Sequence, residues 1–206
     1  MQKLWVIDME YFHYELHSET LCIGERIKKG TFRPTIETIP YTQISGALKA
    51  YFGRQEVHAV GSIVEYESKD YFTYSPRNRI TNVSKIPITT EYLINVRGNV
   101  YILKNKETED FPDEIEIKLG AMRTKGFGYT ILRKKGLVEV RNGQLDFGKL
   151  NTRIPIEHLD KFLIKPVKPQ YGYLIKPLSL SKAVYVLSLF EGSEVYAPGF
   201  LIEKRW

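Results

Sequence analysis

Apolar and polar residues alternate along most of this chain, and one stretch alone breaks clearly into a helical period. "KLWVIDMEYFHYEL", aromatic and β-branched, predicts a long first strand. "SETLCIGERIKKGTFRPTIETIP" then mixes a short strand with Arg26, Lys28, Lys29 and Arg33 around Gly30, a basic hairpin or arm. The helix is "YTQISGALKAYFG". Ile44, Ala47, Leu48, Tyr51 and Phe52 recur at the spacing of one buried face. Thr42 or Ser45 can cap its free amides, Gly53 suits a left-handed C-cap, and Pro40 lies just upstream.

Further on, "EVHAVGSIVEY" reads as a strand and "YFTYSPRNRITNVSKIPIT", interrupted by Pro76 and Pro87, as mostly loop. "EYLINVRGNVYILKN" predicts a hairpin turning at Arg97–Gly98–Asn99, and "LVEVRNGQLDF" another at Asn142–Gly143. "KETEDFPDEIEIK" is an acidic, solvated loop, and "PIEHLDKFL" a short helix. The rest is strand-rich and punctuated by prolines. Strands far outnumber helices, and the early strand–helix–strand order fits an α+β, ferredoxin-like unit with insertions and a β-rich C-terminal part. We expect one domain over residues 1–150 and an extension over 151–206 packed on it.

Charge sharpens this picture. Lys and Arg number 30 against 24 Asp and Glu, a net charge of +6, which favours an acidic partner such as nucleic acid. Fourteen tyrosines and ten phenylalanines supply rings that can stack on bases, although most rings fill cores. The single cysteine, Cys22, leaves no internal disulfide and no cysteine-rich zinc site. The N-terminus lacks a signal peptide's apolar core, and no apolar run approaches the roughly 20 residues that span a bilayer. A cytoplasmic protein without membrane contact is expected.

The segment "LGAMRTKGFGYTILRKKG", from Leu119 to Gly136, carries the chemistry. It is no P-loop, because no Lys–Ser/Thr pair follows Gly126. It is no dinucleotide fingerprint, because no third glycine follows Gly126–Phe127–Gly128 at the required spacing. Glycines nevertheless let backbone approach a partner closely. Arg123 and Lys125 can set positive charge against phosphodiesters. Phe127 either anchors the loop or stacks on a base.

This segment resembles the glycine-rich loop of the CRISPR-associated RAMP superfamily, in which basic residues lead to Gly-Phe-Gly entering a strand. "TIPYTQISGALKAYFG" is similar to the same superfamily's early element, a proline-containing turn leading into Gly-Ala-Leu-Lys, here Gly46, Ala47, Leu48 and Lys49. The resemblance implies a ferredoxin-like, RRM-related RAMP fold and a subunit of a guide-RNA complex. It is most like the subunits that cap the guide's 5′ handle in type III complexes, although Tyr41–Thr42–Gln43 replaces their usual polar residues before the helix. Carried over, Gly120, Arg123, Lys125, Gly126 and Gly128 would sit on guide RNA, with Lys49 and Arg54 near the same face. From their charge, and not from any motif of the superfamily, Arg26, Lys28, Lys29 and Arg33 would form part of a basic arm. The expected partners are guide RNA and other effector subunits.

Two alternatives stay open: a RAMP endoribonuclease maturing precursor RNA, and a backbone or scaffold subunit of the same complex. Cleavage needs a base of near-neutral pKa. His13 and His17, beside Glu15 and Glu19, are the candidates. Spacing supports no metal site, no acid in "GERIKKGTFRPTIE" other than Glu25 and Glu37 offers itself for cleavage, and no cofactor is implied. The expectation is a non-catalytic RNA-binding subunit.

Overall fold

A computed structural model describes residues 8–24, 30–78, 80–141, 143–177 and 182–203. Its first part contains β1 (Asp8–Leu21), β2 (Phe32–Arg33), β3 (Thr38–Ile39), α1 (Tyr41–Phe52), β4 (Ala59–Glu65) and β5 (Ser68–Tyr74). Then come β6 (Ile88–Leu103), β7 (Glu114–Lys118), β8 (Tyr129–Arg141) and β9 (Asp146–Lys149). The remainder is β10 (Ile154–Pro155), β11 (Lys165–Lys168), β12 (Tyr171–Pro177), β13 (Ala183–Leu189) and β14 (Glu194–Ala197), with 3₁₀ turns between several of them. No helix among the described residues is long and apolar enough to cross a membrane.

The main sheet runs β3-β4-β6-β1-β8-β7, with every neighbouring pair antiparallel. β2 and β5 join the first half of β6. β1 is central because its alternation is two-sided. Tyr14 and Leu16 point into the core beside Val100 and Leu132, while His13, Glu15 and His17 face outward. α1 lays Ile44 and Leu48 on this core, and each fully buried aliphatic side chain contributes roughly 1.5–3 kcal/mol. Tyr51, expected on the buried stripe, is 56% exposed; Tyr41, one turn before Ile44, is buried instead.

The helix starts differently from the sequence reading. Pro40 is its N-cap, and the Pro40 carbonyl accepts the Gln43 and Ile44 amides. Thr42 and Ser45 therefore fall inside the helix and cap nothing. The Ser45 hydroxyl instead donates to the Ala59 carbonyl and accepts the Ala59 amide, both at 2.9 Å, pinning α1 to β4. Gly53 does end the helix, at φ 67°.

Neither expected hairpin forms among the described residues. Residues 88–103 form one continuous strand, and Gly98 lies in its middle, between Leu16 of β1 and Ile63 of β4. A β-carbon there would sit 2.3 Å from the Ser62 carbonyl oxygen, so the glycine answers close strand packing, not a turn. The irregular residue is Asn95, at φ 50°, where the burial pattern shifts from Leu93 to Val96. In the second case β8 ends at Arg141 and β9 crosses to pair with β14. Tyr71–Tyr74, read as loop, is strand β5. The acidic segment is only partly solvated. Phe111 is buried and stacks on Phe52 at 4.0 Å, and Ile115 and Ile117 of β7 enter the core. "PIEHLDKFL" makes two 3₁₀ turns rather than an α-helix.

Two small sheets complete the fold, β10-β13-β12 and β11-β14-β9. They share a second core in which Phe162, Leu189, Val195 and Leu201 meet Tyr11, Val60 and Val140 of the main sheet.

Candidate nucleic-acid interface

The glycine segment closes the β7–β8 hairpin and folds back over the end of β1. The Leu119 amide donates to the Gly128 carbonyl at 2.8 Å, the Ala121 amide to Cys22 at 2.7 Å, and the Gly128 amide to Thr20 at 2.8 Å. Gly120, Gly126 and Gly128 adopt φ of 81°, 93° and 80°. A β-carbon would press 2.4 Å from the Cys22 carbonyl oxygen at Gly120 and 2.0 Å from that of Leu119 at Gly128, whereas Gly126 faces open space. Gly120 and Gly128 thus let the loop lie flat on its neighbours, and Gly126 is the exposed glycine at its crest.

Between them, Arg123–Thr124–Lys125 forms a 3₁₀ turn with all three residues exposed. Arg123 and Lys125 have no ion-pair partner among the described residues. The Lys125 ammonium stands 5.7 Å from the ring centre of Tyr74. Phe127 is half-buried, packed 5.5 Å from Phe72 and 4.7 Å from Tyr92, so it anchors the loop on β5 and β6 and joins neither core cluster. Phe72 and Tyr74 stack at 5.9 Å. The Tyr92 hydroxyl donates to Asp70 at 3.0 Å.

Arg33 belongs to the same neighbourhood. β2 sets it beside Thr90 of β6, which in turn pairs with Phe72 of β5. Burial pushes the Cys22 thiol up to about 11, and the Arg33 charge opposes that rise. The loop's two exposed cations stand beside a patch of rings on β5 and β6, and Arg33 is exposed on β2, at the other edge of β6. Sequence reasoning missed the rings, because the alternation in "YFTY" was outweighed by the prolines that follow it.

The other candidates lie elsewhere. Arg54 makes two bonds to the Asp110 carboxylate and one to the Glu107 carbonyl, between the rings of Phe52 and Phe111. That loop precedes β7 and the glycine loop follows it, so the five residues of β7, about 15 Å of strand, separate the two. Lys49 is half-buried, and burial, with Lys176 and Lys161 nearby, lowers its pKa despite the Glu56 carboxylate. Neither residue joins the glycine loop. Arg26, Lys28, Lys29 and Glu25 lie outside the described residues.

His13 donates to Asn99 Oδ1 at 2.8 Å and stacks 4.7 Å from Tyr101, while Glu15 pairs with Lys135 at 2.6 Å. Glu37 pairs with Lys69 at 2.6 Å. Among the described residues, no three His, Cys, Asp or Glu side chains are grouped to hold a metal ion. A histidine pair that the sequence did not flag lies at the seam of the two cores. His58 Nε2 meets Glu56 at 3.0 Å, its Nδ1 accepts from the Tyr41 hydroxyl at 2.5 Å, and the His158 ring lies 4.6 Å from that of Tyr41. Burial lowers both imidazoles, His158 to about 4.

No family model and no curated protein matches the chain. Solved structures do. A chain of the type III-B Cmr-beta complex bound to cognate target RNA and AMPPnP superposes with a TM-score of 0.55 at 10% identity, over 91% of this chain and 86% of the other. A chain of the same complex bound to cognate target RNA gives 0.53 at 11%, over 89% and 86%. The likeness is one of fold. It extends over about nine-tenths of this chain.

Proposed function

We propose that this chain is a non-catalytic RNA-binding subunit of a type III-like CRISPR effector complex, holding the guide's 5′ handle by its backbone. The observation that carries the reading is that Arg123 and Lys125 stand exposed, without carboxylate partners among the described residues, beside Tyr74 and Phe127, with Arg33 exposed on β2 at the other edge of β6. Cations without internal partners are free for phosphates, and the rings offer stacking surfaces to unpaired bases.

The fold supports the same reading. Taken in chain order, β1, α1, β4, β6 and β8 give the strand order β4-β6-β1-β8, which is that of a ferredoxin-like sheet. In chain order, the loop carrying Phe111 and the edge strand β7 take the place of that fold's second helix. We read residues 1–150 as this RAMP domain and 151–206 as its extension, in a cytoplasmic ribonucleoprotein. The reading is non-catalytic: His13 is engaged by Asn99 and Glu15 by Lys135, and His17, exposed on the same strand face, is the remaining candidate base.

The test is equilibrium binding of a repeat-derived guide RNA across a salt series. The double variant Arg123→Glu, Lys125→Glu should weaken binding and flatten the log–log salt slope by about two, one for each phosphate that is no longer neutralised. Unchanged affinity and slope would remove the loop from the interface.

A further inference from the structure

Among the described residues of the β12–β13 hairpin, only Leu189 belongs to either core. The two strands pair from Tyr171 opposite Leu189 to Pro177 opposite Ala183, and β10 lies along β13 only at Ser188 and Leu189. Beyond that point the hairpin is a two-stranded ribbon, an element that is marginal in water by itself. Alternation gives it two faces. Leu174, Val186 and Ser188 turn one way, and Leu174 and Ser188 are buried. Tyr171, Tyr173, Ile175, Tyr185 and Leu187 turn the other way, beyond the buried Leu189 at the base. On that face Tyr171, Tyr173 and Tyr185 are 55%, 65% and 59% exposed. An antiparallel face that meets water normally carries polar residues, and this one carries no charge. Three tyrosines of roughly 200 Å² each, more than half uncovered, leave with Leu187 a patch of about 400 Å², a size at which surface patches are often functional.

Charge identifies the occupant. From Lys161 to Phe190 the chain has five lysines and neither Asp nor Glu. None of these lysines shares the ring face. Lys176 turns to the other side of β12, Lys182 precedes β13, and Lys161, Lys165 and Lys168 precede β12. The carboxylates that meet Lys161, Lys168 and Lys176, namely Glu56, Glu194 and Glu157, come from other elements. A nucleic acid would need cations interleaved with the rings, to meet the phosphate between successive bases. A second copy of this chain would set lysines against lysines. An apolar centre with a charged rim is the anatomy of a protein interface, and a rim of lysines suits carboxylates.

We propose that the ring face of β12–β13 docks a different protein chain, whose apolar surface covers the tyrosines and whose Asp and Glu side chains meet the lysines around them. The apolar centre supplies affinity and the rim supplies the choice of partner. This goes beyond the RNA reading and stands without it.

The test compares the free chain with the assembly recovered from its host on the tagged full chain. Tetranitromethane nitrates exposed tyrosines, and a carbodiimide joins a lysine to a carboxylate only where the two touch. Nitration of Tyr171, Tyr173 and Tyr185 should be largely lost in the assembly and should stay lost after ribonuclease treatment. Carbodiimide should link Lys168, Lys176 or Lys182 to an Asp or Glu of another polypeptide. Tyr173→Ser with Tyr185→Ser should lower recovery of that polypeptide by about tenfold or more. Arg123→Glu with Lys125→Glu should leave that recovery unchanged while RNA recovery falls, so the two readings fail separately. If the serine pair disturbs folding, nitration and crosslinking of the parent chain still decide. Equal nitration in both states, or recovery of the chain alone, would overturn the proposal. So would protection that ribonuclease removes, which makes RNA the occupant, or crosslinks only between copies of this chain.

Discussion

Gly128 passes so close to Leu119 that a β-carbon on it would lie 2.0 Å from the Leu119 carbonyl oxygen, while its own amide is bonded to Thr20. Gly126, two residues earlier, has a similar positive φ but open space around it. Two glycines of one motif therefore carry different constraints. Gly126→Ala should cost only the left-handed backbone penalty, about 1–2 kcal/mol. Gly128→Ala adds a backbone collision and should cost more, roughly 3 kcal/mol or above. Urea unfolding of the two variants checks the ranking; equal losses would mean that Gly128 does not pack against the Leu119 carbonyl as described.

Ser45 offers a second contrast. It reads as a helix cap, and replacing a cap costs about 1 kcal/mol. In the structure its hydroxyl serves both the amide and the carbonyl of Ala59, and it is buried. Ser45→Ala would strand two backbone groups, and we expect a loss of about 1–3 kcal/mol in chemical denaturation. Thr42→Ala, at the other candidate cap, should change stability far less.

The His58–Tyr41–His158 seam predicts a pH dependence. Both imidazoles have folded pKa values below the ordinary 6.5, His158 near 4, chiefly because burial disfavours the charged ring. The folded state thus binds fewer protons than the unfolded one. Their contribution to stability is complete above about pH 6.5 and is lost as pH falls below it, for His158 down to about pH 4 and by up to about 1.4 kcal/mol per pH unit. Glu56 and Glu157 face the rings and favour protonation, while Lys161 and Lys176 oppose it. Urea midpoints at pH 7 and 4.5 should differ less in His158→Gln than in the parent. An identical difference would show that His158 does not titrate differently on folding.

Much of this was legible where one physical rule acted alone. The i, i+3, i+4 spacing of Ile44, Ala47 and Leu48 gave α1, and Gly53 gave its end. Turn chemistry misled where a glycine served packing. Arg97–Gly98–Asn99 has turn residues, yet Gly98 is required because β4 presses against it in mid-strand. Local sequence also carries no information about which strand a segment pairs with. β9 follows β8 closely and joins β14 instead. The basic loop with Arg123 and Lys125 was readable from composition and spacing. Its ring partners Phe72, Tyr74 and Tyr92 come from distant strands, and only the folded sheet brings them together.

The central claim is that RNA lies on the glycine loop and the rings beside it. Photocrosslinking of guide RNA containing 4-thiouridine, read out by peptide mass spectrometry, tests this most directly. The chain has other exposed tyrosines, Tyr171, Tyr173 and Tyr185 on the β12–β13 hairpin, which serve as internal controls. The account predicts crosslinks concentrated at Tyr74, Phe127 and the residues flanking Arg123–Lys125, and abolished by reversing those two charges. Crosslinks confined to the β12–β13 tyrosines would contradict it.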